Sequence, residues 1–453
     1  MKVLSLVISF TLSFFVYTLQ GQEENFVESN GVNIHFTIFG EGPPVLIING
    51  GPGFSSEGFV PLAKKIANEG YQTILYDQRG TGKSSMEKVD STNITMDLMV
   101  EDIEAIRKKM NIDEWIVLGH SFGGIMANYY TAQYPSRVKA MISSSSGGID
   151  LSLLRNAQSN LYSKLTQTEL DSMRYWSAQR RNGDNSEYAQ KQFAKYMAPA
   201  YVYDRKFIPV VAERLTQGNM ALNRLVWNDL IRIEYDCKPK LRSFDKPVLI
   251  IQGKNDIISE NLASTADSVF PNSKVVLLDS CGHYGWLDQP VDYFGKIFSF
   301  LKHVEEHSEN VKKVKVVLQN YIKSIYISDS AMVEKIADST LQKSGHYYSP
   351  RRKTWSYEDM DFEGLQHTAA TYNRKKWLPE WAPAEIEIYE VKEKVASAKV
   401  KAIWGFDYML LSKKNGQWMI DKVLWQSYTA DEQKEYFTRL KNNWELNTIS
   451  EKE

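Results

Sequence analysis

The sequence predicts an α/β protein, a mostly parallel sheet wrapped by helices under a helical cap, followed by a smaller α+β domain. Three observations carry this. Up to Leu301, short runs that are apolar throughout alternate with helix-length segments. The alternation stops between Gly147 and Asp245, where the chain turns polar and helical in flavour. Past Lys313, helical patterns come first and alternating strands later.

The continuous runs are Pro44–Gly50, Tyr71–Asp77, Glu114–His120, Val138–Ser144, Lys246–Gly253 and Lys274–Ser280. Strands apolar on both faces suit a parallel sheet covered by helices on each side. Phe59–Asn68, Met96–Lys109 and Phe122–Tyr134 have the length and pattern of those helices. An insertion of the length of 148–244 is too long for a loop and reads as a cap over the sheet edge. Lys302–Lys313 is charged and lacks apolar punctuation, which suits a linker or the polar start of a helix. In the tail, Val314–Ser328, Met332–Leu341 and Gly364–Arg374 read as helices. Ala396, Ala398, Val400 and Ala402 fall on one face of a strand, and Asn415-Gly416 is a strong hairpin signal. The expected domains are therefore 23–305 and 311–453.

A chain of 453 residues exceeds what one core usually holds. Its net charge of −1, with acids and bases interspersed, offers no electrostatic case for nucleic acid or an anionic membrane surface. Residues 1–22 pair a positive Lys2 with an apolar run, and read as a signal peptide, so export without stable membrane insertion is expected. Cys237 and Cys281 could form one bridge, but two unpaired thiols are the plainer reading.

Gly119-His120-Ser121-Phe122-Gly123 lies between a strand and a helix pattern and fits G-x-S-x-G. Small residues permit a tight strand-to-helix turn that lifts the Ser121 hydroxyl above the sheet. A serine needs a base to take its proton and an acid to orient that base. Asp256 and His283 each follow a later strand, at the end where α/β sheets keep their ligands. Asp279 lies too close in sequence to His283 to orient it from behind. Of the seven histidines, His120 reads as structural, and His303, His307, His346 and His367 belong to the linker or tail. The turn in Ile48–Ser56 can supply an amide to an oxyanion, together with the amide of Phe122. Asp77–Ser84 imitates a phosphate loop, but Asp77 stands where that loop needs glycine, so no nucleotide site is expected. No metal-ligand spacing stands out, and no cofactor is called for.

The strings GGPG, YDQRGTGKS, GHSFGG, GKND and CGH, in this order, resemble the α/β-hydrolase fold of the proline iminopeptidase type, from about Glu23 to Leu301. The resemblance implies Ser121 as nucleophile, His283 as base, Asp256 as its partner, and the amides of Gly51 and Phe122 as the oxyanion hole. It also implies cap carboxylates for the substrate's free α-ammonium, for which Glu169, Glu187, Glu213 and Glu234 are available. Asn49 departs from the family, which usually has His before GGPG. The tail, about Val311 to Ser427, resembles the cone-shaped fold of the lumazine-binding-like and ketosteroid-isomerase-like kind, and reads as a binding or dimerisation module. Its tryptophans Trp404, Trp418 and Trp425 read as core. The expected activity is removal of N-terminal residues, proline preferred, from short peptides. The alternatives are an esterase or other acyl hydrolase on the same triad, and a non-catalytic binding protein.

Overall fold

The computed structural model describes residues 23–450. The expected signal peptide, 1–22, lies outside the described residues. Two compact units divide after Leu301.

The first unit is built on an eight-stranded sheet. Its strands are β1 (Glu23–Ser29), β2 (Val32–Phe39), β3 (Pro44–Ile48), β4 (Gln72–Tyr76), β5 (Trp115–His120), β6 (Val138–Ser144), β7 (Val248–Gly253) and β8 (Ser273–Leu278). Their order across the sheet is β1-β2-β4-β3-β5-β6-β7-β8. From β4 to β8 every neighbouring pair is parallel. β1 and β2 add an antiparallel edge. The residues of β5 and β7 are buried throughout, as expected of strands covered on both faces. Asn30 and Gly31, at φ 48° and 77°, turn the β1–β2 hairpin. Two-residue hairpin turns favour this left-handed pair because it follows the strand twist.

Helices Val60–Ala67, Met96–Lys109 and Phe122–Gln133 stand where the apolar pattern placed them. Thr95 caps the second by accepting from the Leu98 amide. Between β6 and β7 every regular element is helical, as the polar texture of the insertion predicted. Cap and sheet are stitched together by specific bonds. The Asp229 carboxylate accepts from the Met96 amide (2.8 Å), Asn223 Nδ2 donates to the Pro52 carbonyl (2.9 Å), and the Asn219 amide donates to Gly53 (2.9 Å). Gly53 must be glycine, since a Cβ there would lie 2.4 Å from the Asn219 carbonyl oxygen at φ +89°. Cys237 and Cys281 are buried free thiols.

Lys302–Lys313 is helical, part of a helix that spans Pro290–Tyr326. The second unit continues from it with β9 (Ala337–Ser349), β10 (Thr354–Met360), helix Phe362–Thr371, β11 (Ala384–Val391), β12 (Val395–Ala402), β13 (Gly405–Lys414), β14 (Gln417–Ser427) and helix Ala430–Ser450. The sheet order is β10-β9-β14-β13-β12-β11, with β9 and β14 parallel. Met332–Leu341 is not the expected helix. A short 3-10 turn covers Ser330–Lys335 and β9 begins at Ala337, because pairing with β14 outweighs local helical pattern. Ala396, Ala398, Val400 and Ala402 do face the core, and Asn415-Gly416 does turn the β13–β14 hairpin. Among the described residues, no helix is long and apolar enough to cross a membrane.

Candidate active site

β5 delivers Ser121 into a strained turn, at φ 57° and ψ −119°. A left-handed serine is costly and persists where the surroundings over-determine it. Here the Ser121 amide donates to Ser144, and the Ser121 carbonyl accepts from the amides of Gly124 and Gly147. The flanking glycines are steric necessities. A Cβ on Gly119 would lie 2.2 Å from the Gly123 carbonyl oxygen, and one on Gly123 would lie 2.0 Å from that of Ile48. Helix Phe122–Gln133 starts at once, aiming its first amides and its positive dipole end toward the serine.

His283 follows β8, and its amide donates to the Tyr201 carbonyl of the cap (2.8 Å). Its Nδ1 meets Asp256 Oδ1 at 2.8 Å, with both side chains buried. Asp256 is held in turn: Oδ1 accepts from the Ile258 amide (3.0 Å) and Oδ2 from Gln252 Nε2 (2.8 Å). The carboxylate is thus held by two further donors besides the imidazole. Asp279 is exposed and pairs with Lys254.

Ser121 and His283 line one small cavity of about 100 Å³ with Gly50, Gly51, Phe54, His120 and, from the cap, Tyr201 and Arg214. Gly51 has φ +75° and Phe122 opens the helix, so both expected oxyanion residues border the serine. Asn49, at the position where histidine was expected, braces this turn by donating from Nδ2 to the carbonyl of Phe54 (3.2 Å). Gln78 Nε2 donates to the Asn49 carbonyl (3.0 Å).

The Asp77–Ser84 stretch is a structural clamp for the same turn. Asp77 Oδ1 accepts from the amide and hydroxyl of Ser56, and Oδ2 accepts from the Lys83 amide and faces His35 Nδ1. Burial would raise its pKa, but the bonds from His35, Ser56 and Lys83 outweigh that and hold it at about 2. Gly82 leaves room for the carboxylate, since a Cβ there would meet Asp77 Oδ2 at 2.3 Å. Arg79 forks onto Asp102 with two bonds of 2.7 and 2.6 Å.

Two sequence expectations are revised by the geometry. His120, expected to be structural, lines the cavity, its ring centre 4.6 Å from that of His283. Burial, then the neighbouring His283 and Arg214, push its pKa well below the usual histidine value. The cap acids lie elsewhere. Glu187 is exposed and paired with Lys191, Glu213 and Glu234 are exposed, and Glu169 caps its own helix and pairs with Arg205. The residue the sequence reading missed is Arg214, buried in the cavity beside the serine. Only its neighbour Glu213 was singled out, and no spacing signal distinguishes the two.

In the second unit, Lys343 Nζ donates to Asp407 Oδ1 (2.6 Å) and to the Tyr321 hydroxyl (2.7 Å), while Trp404 Nε1 donates to Asp407 Oδ2 (2.7 Å). Trp418 is fully buried, and Trp404 and Trp425 pack against the same core. Among the described residues, no cluster of potential metal ligands occurs.

Residues 43–290 match the family model described as alpha/beta hydrolase fold, and residues 309–426 match one described as putative lumazine-binding. A proline iminopeptidase of Heyndrickxia coagulans is 29% identical over 300 residues, covering 62% of this chain and 99% of its own length. One from Thermoplasma volcanium is 25% identical over 299 residues, 62% of this chain and 97% of its own. Among solved structures, VinJ aligns with a TM-score of 0.52 at 14% identity, covering 62% of this chain and 99% of its own, a likeness of fold.

Proposed function

Because the chain belongs to the α/β-hydrolase family, we propose that it is a serine hydrolase that cleaves small acyl compounds through an acyl-enzyme. The observation that carries this reading is the 2.8 Å contact of His283 Nδ1 with Asp256, in a histidine that shares a cavity with the strained Ser121. Asp256 holds His283 in the tautomer whose Nε2 is free to accept a proton. Ser121 Oγ attacks the acyl carbon as Nε2 takes its proton, and the carbonyl π electrons move onto oxygen. The amides of Gly51 and Phe122 serve that oxyanion. Collapse breaks the bond to the leaving amine or alcohol, which receives the proton from Nε2. Water, deprotonated by the same nitrogen, then hydrolyses the ester on Ser121 and restores the hydroxyl.

The relatives named proline iminopeptidase support one finer reading, release of an N-terminal residue, proline preferred, from short peptides. An esterase or other acyl hydrolase on the same residues is the second, and the charge of the cavity favours it. No carboxylate is among the described residues that line the cavity, and the cation Arg214 is. Export after removal of residues 1–22, and pairing of two copies through the second unit, remain part of the proposal.

A fluorophosphonate probe tests the common reading: it should label Ser121 in the purified protein and leave Ser121→Ala unlabelled. Hydrolysis of prolyl anilide against small esters then separates the two finer readings. An unlabelled wild-type protein that turns over neither substrate class would refute the proposal.

A further inference from the structure

Arg214 is 8% exposed and lines the cavity that holds Ser121 and His283. Its guanidinium is held by three hydrogen bonds and two aromatic rings. Nη1 donates to the Ser55 carbonyl (2.6 Å) and to Gln217 Oε1 (3.2 Å), and Nη2 donates to the Gly50 carbonyl (3.3 Å). The rings of Phe54 and Phe59 lie 5.0 and 5.6 Å from its central carbon. All three hydrogen-bond acceptors are neutral, and among the described residues no carboxylate lies within ion-pair distance. Three bonds leave two of the five guanidinium N–H donors for something else.

Asp77 and Glu57 act on Arg214 only from beyond contact distance; a buried cation with no carboxylate in contact is costly, and an incoming anion offsets that cost. Arg is also the side chain whose planar fork matches a carboxylate, and such charge-assisted pairs are among the strong hydrogen bonds. The position matters as much as the charge. Gly50, whose carbonyl accepts from Arg214, is so close to the nucleophile that a Cβ on it would lie 2.8 Å from the Ser121 Cβ. The guanidinium and Ser121 therefore border the same small cavity, on either side of Gly50. By the same sign argument, a free α-ammonium in this small cavity would be repelled.

We infer that Arg214 is a specificity-determining residue which selects acyl substrates bearing a carboxylate close to the scissile bond. The assignment rests on the serine-hydrolase reading of the site and narrows it to anionic acyl groups, such as half-esters and half-amides of short dicarboxylic acids. The competing role for Arg214 is a brace for the turn at Gly50–Ser55. A brace would act on all substrates alike, whereas an anion site acts only on charged ones.

The test compares the 4-methylumbelliferyl half-ester of glutaric acid with the same compound capped as its methyl ester, and with prolyl anilide. Wild type should hydrolyse the anionic ester with a kcat/KM roughly 10- to 100-fold above the neutral one, the range of a charge-assisted hydrogen bond. Arg214→Gln should erase that ratio, mainly through KM, and Arg214→Lys should restore part of it. Glutarate should slow fluorophosphonate labelling of Ser121 in wild type, a reading that needs no variant to fold. Equal losses on both esters in Arg214→Gln, or a wild-type preference for the neutral ester or prolyl anilide, would overturn the inference while labelling of Ser121 upholds the hydrolase. Absence of labelling and of all turnover in wild type would overturn both.

Discussion

Replacing Asp256 by Asn isolates the charge of the carboxylate from its shape. The amide can keep its oxygen toward His283 Nδ1 and the Ile258 amide, where Oδ1 now accepts both. Its NH2 then meets Gln252 Nε2, which now donates to Oδ2 at 2.8 Å and to the Ile258 carbonyl at 3.1 Å, so Gln252 must turn its own amide over and give up the Ile258 bond. The imidazole would stay in place, but the imidazolium formed in the transition state would lose its counter-charge. At the 2.8 Å separation of Nδ1 and Oδ1, an effective dielectric near 20 puts that attraction at roughly 6 kcal/mol. The amide dipole retains a part, so the net loss should be about 3–5 kcal/mol, on the order of 10²- to 10⁴-fold in kcat. Steady-state turnover of a reactive ester, read beside the rate of fluorophosphonate labelling, measures it. Asp256→Asn with activity within tenfold of wild type, and Ser121 labelled at an undiminished rate, would refute the relay from Asp256 through His283.

Other substitutions probe the scaffold. Gly123→Ala puts a Cβ 2.0 Å from the Ile48 carbonyl oxygen, so the turn must shift; labelling of Ser121 should fall at least tenfold or soluble protein should be lost. Asp77 has its pKa depressed to about 2, so its contribution to stability is complete above the unfolded value near 4 and is lost as the pH falls toward 2. Asp77→Asn should therefore lower stability by about 2 kcal/mol at neutral pH and flatten the acid limb between about pH 4 and 2, followed by denaturant unfolding. Glu187→Gln and Glu213→Gln should leave KM for prolyl anilide within about twofold, since both acids are exposed. In the second unit, Asp407→Asn leaves Lys343 as a buried cation without its partner and should cost about 3–5 kcal/mol in that unit's unfolding, with turnover unchanged.

Much of this molecule is legible along the chain because its signals are local. Runs such as Trp115–His120 and Val248–Gly253 are apolar throughout since both faces of the sheet are covered, and their ends locate the loops that carry Ser121 and Asp256. The tight glycine turn around Ser121 is equally local, because backbone sterics act between near neighbours. Where the reading went astray, distant partners decided. β9 took residues with a helical pattern because β14 was there to pair with them. The Lys343–Asp407 pair joins strands far apart in sequence, and no spacing rule brings them together.

The chemistry of the site divides in the same way. The order and the loop positions of Ser121, Asp256 and His283 were determined by the sequence, through strand periodicity and turn composition. The sign of the cavity was decided only by the tertiary structure. Glu213 and Arg214 are successive residues of helix Ile208–Thr216, and successive side chains on a helix diverge by about 100°. Docking of that helix turned the arginine toward Ser121 and left the glutamate in solvent. A rotation of about a quarter turn, set by packing alone, decides whether a guanidinium or a carboxylate lines that cavity.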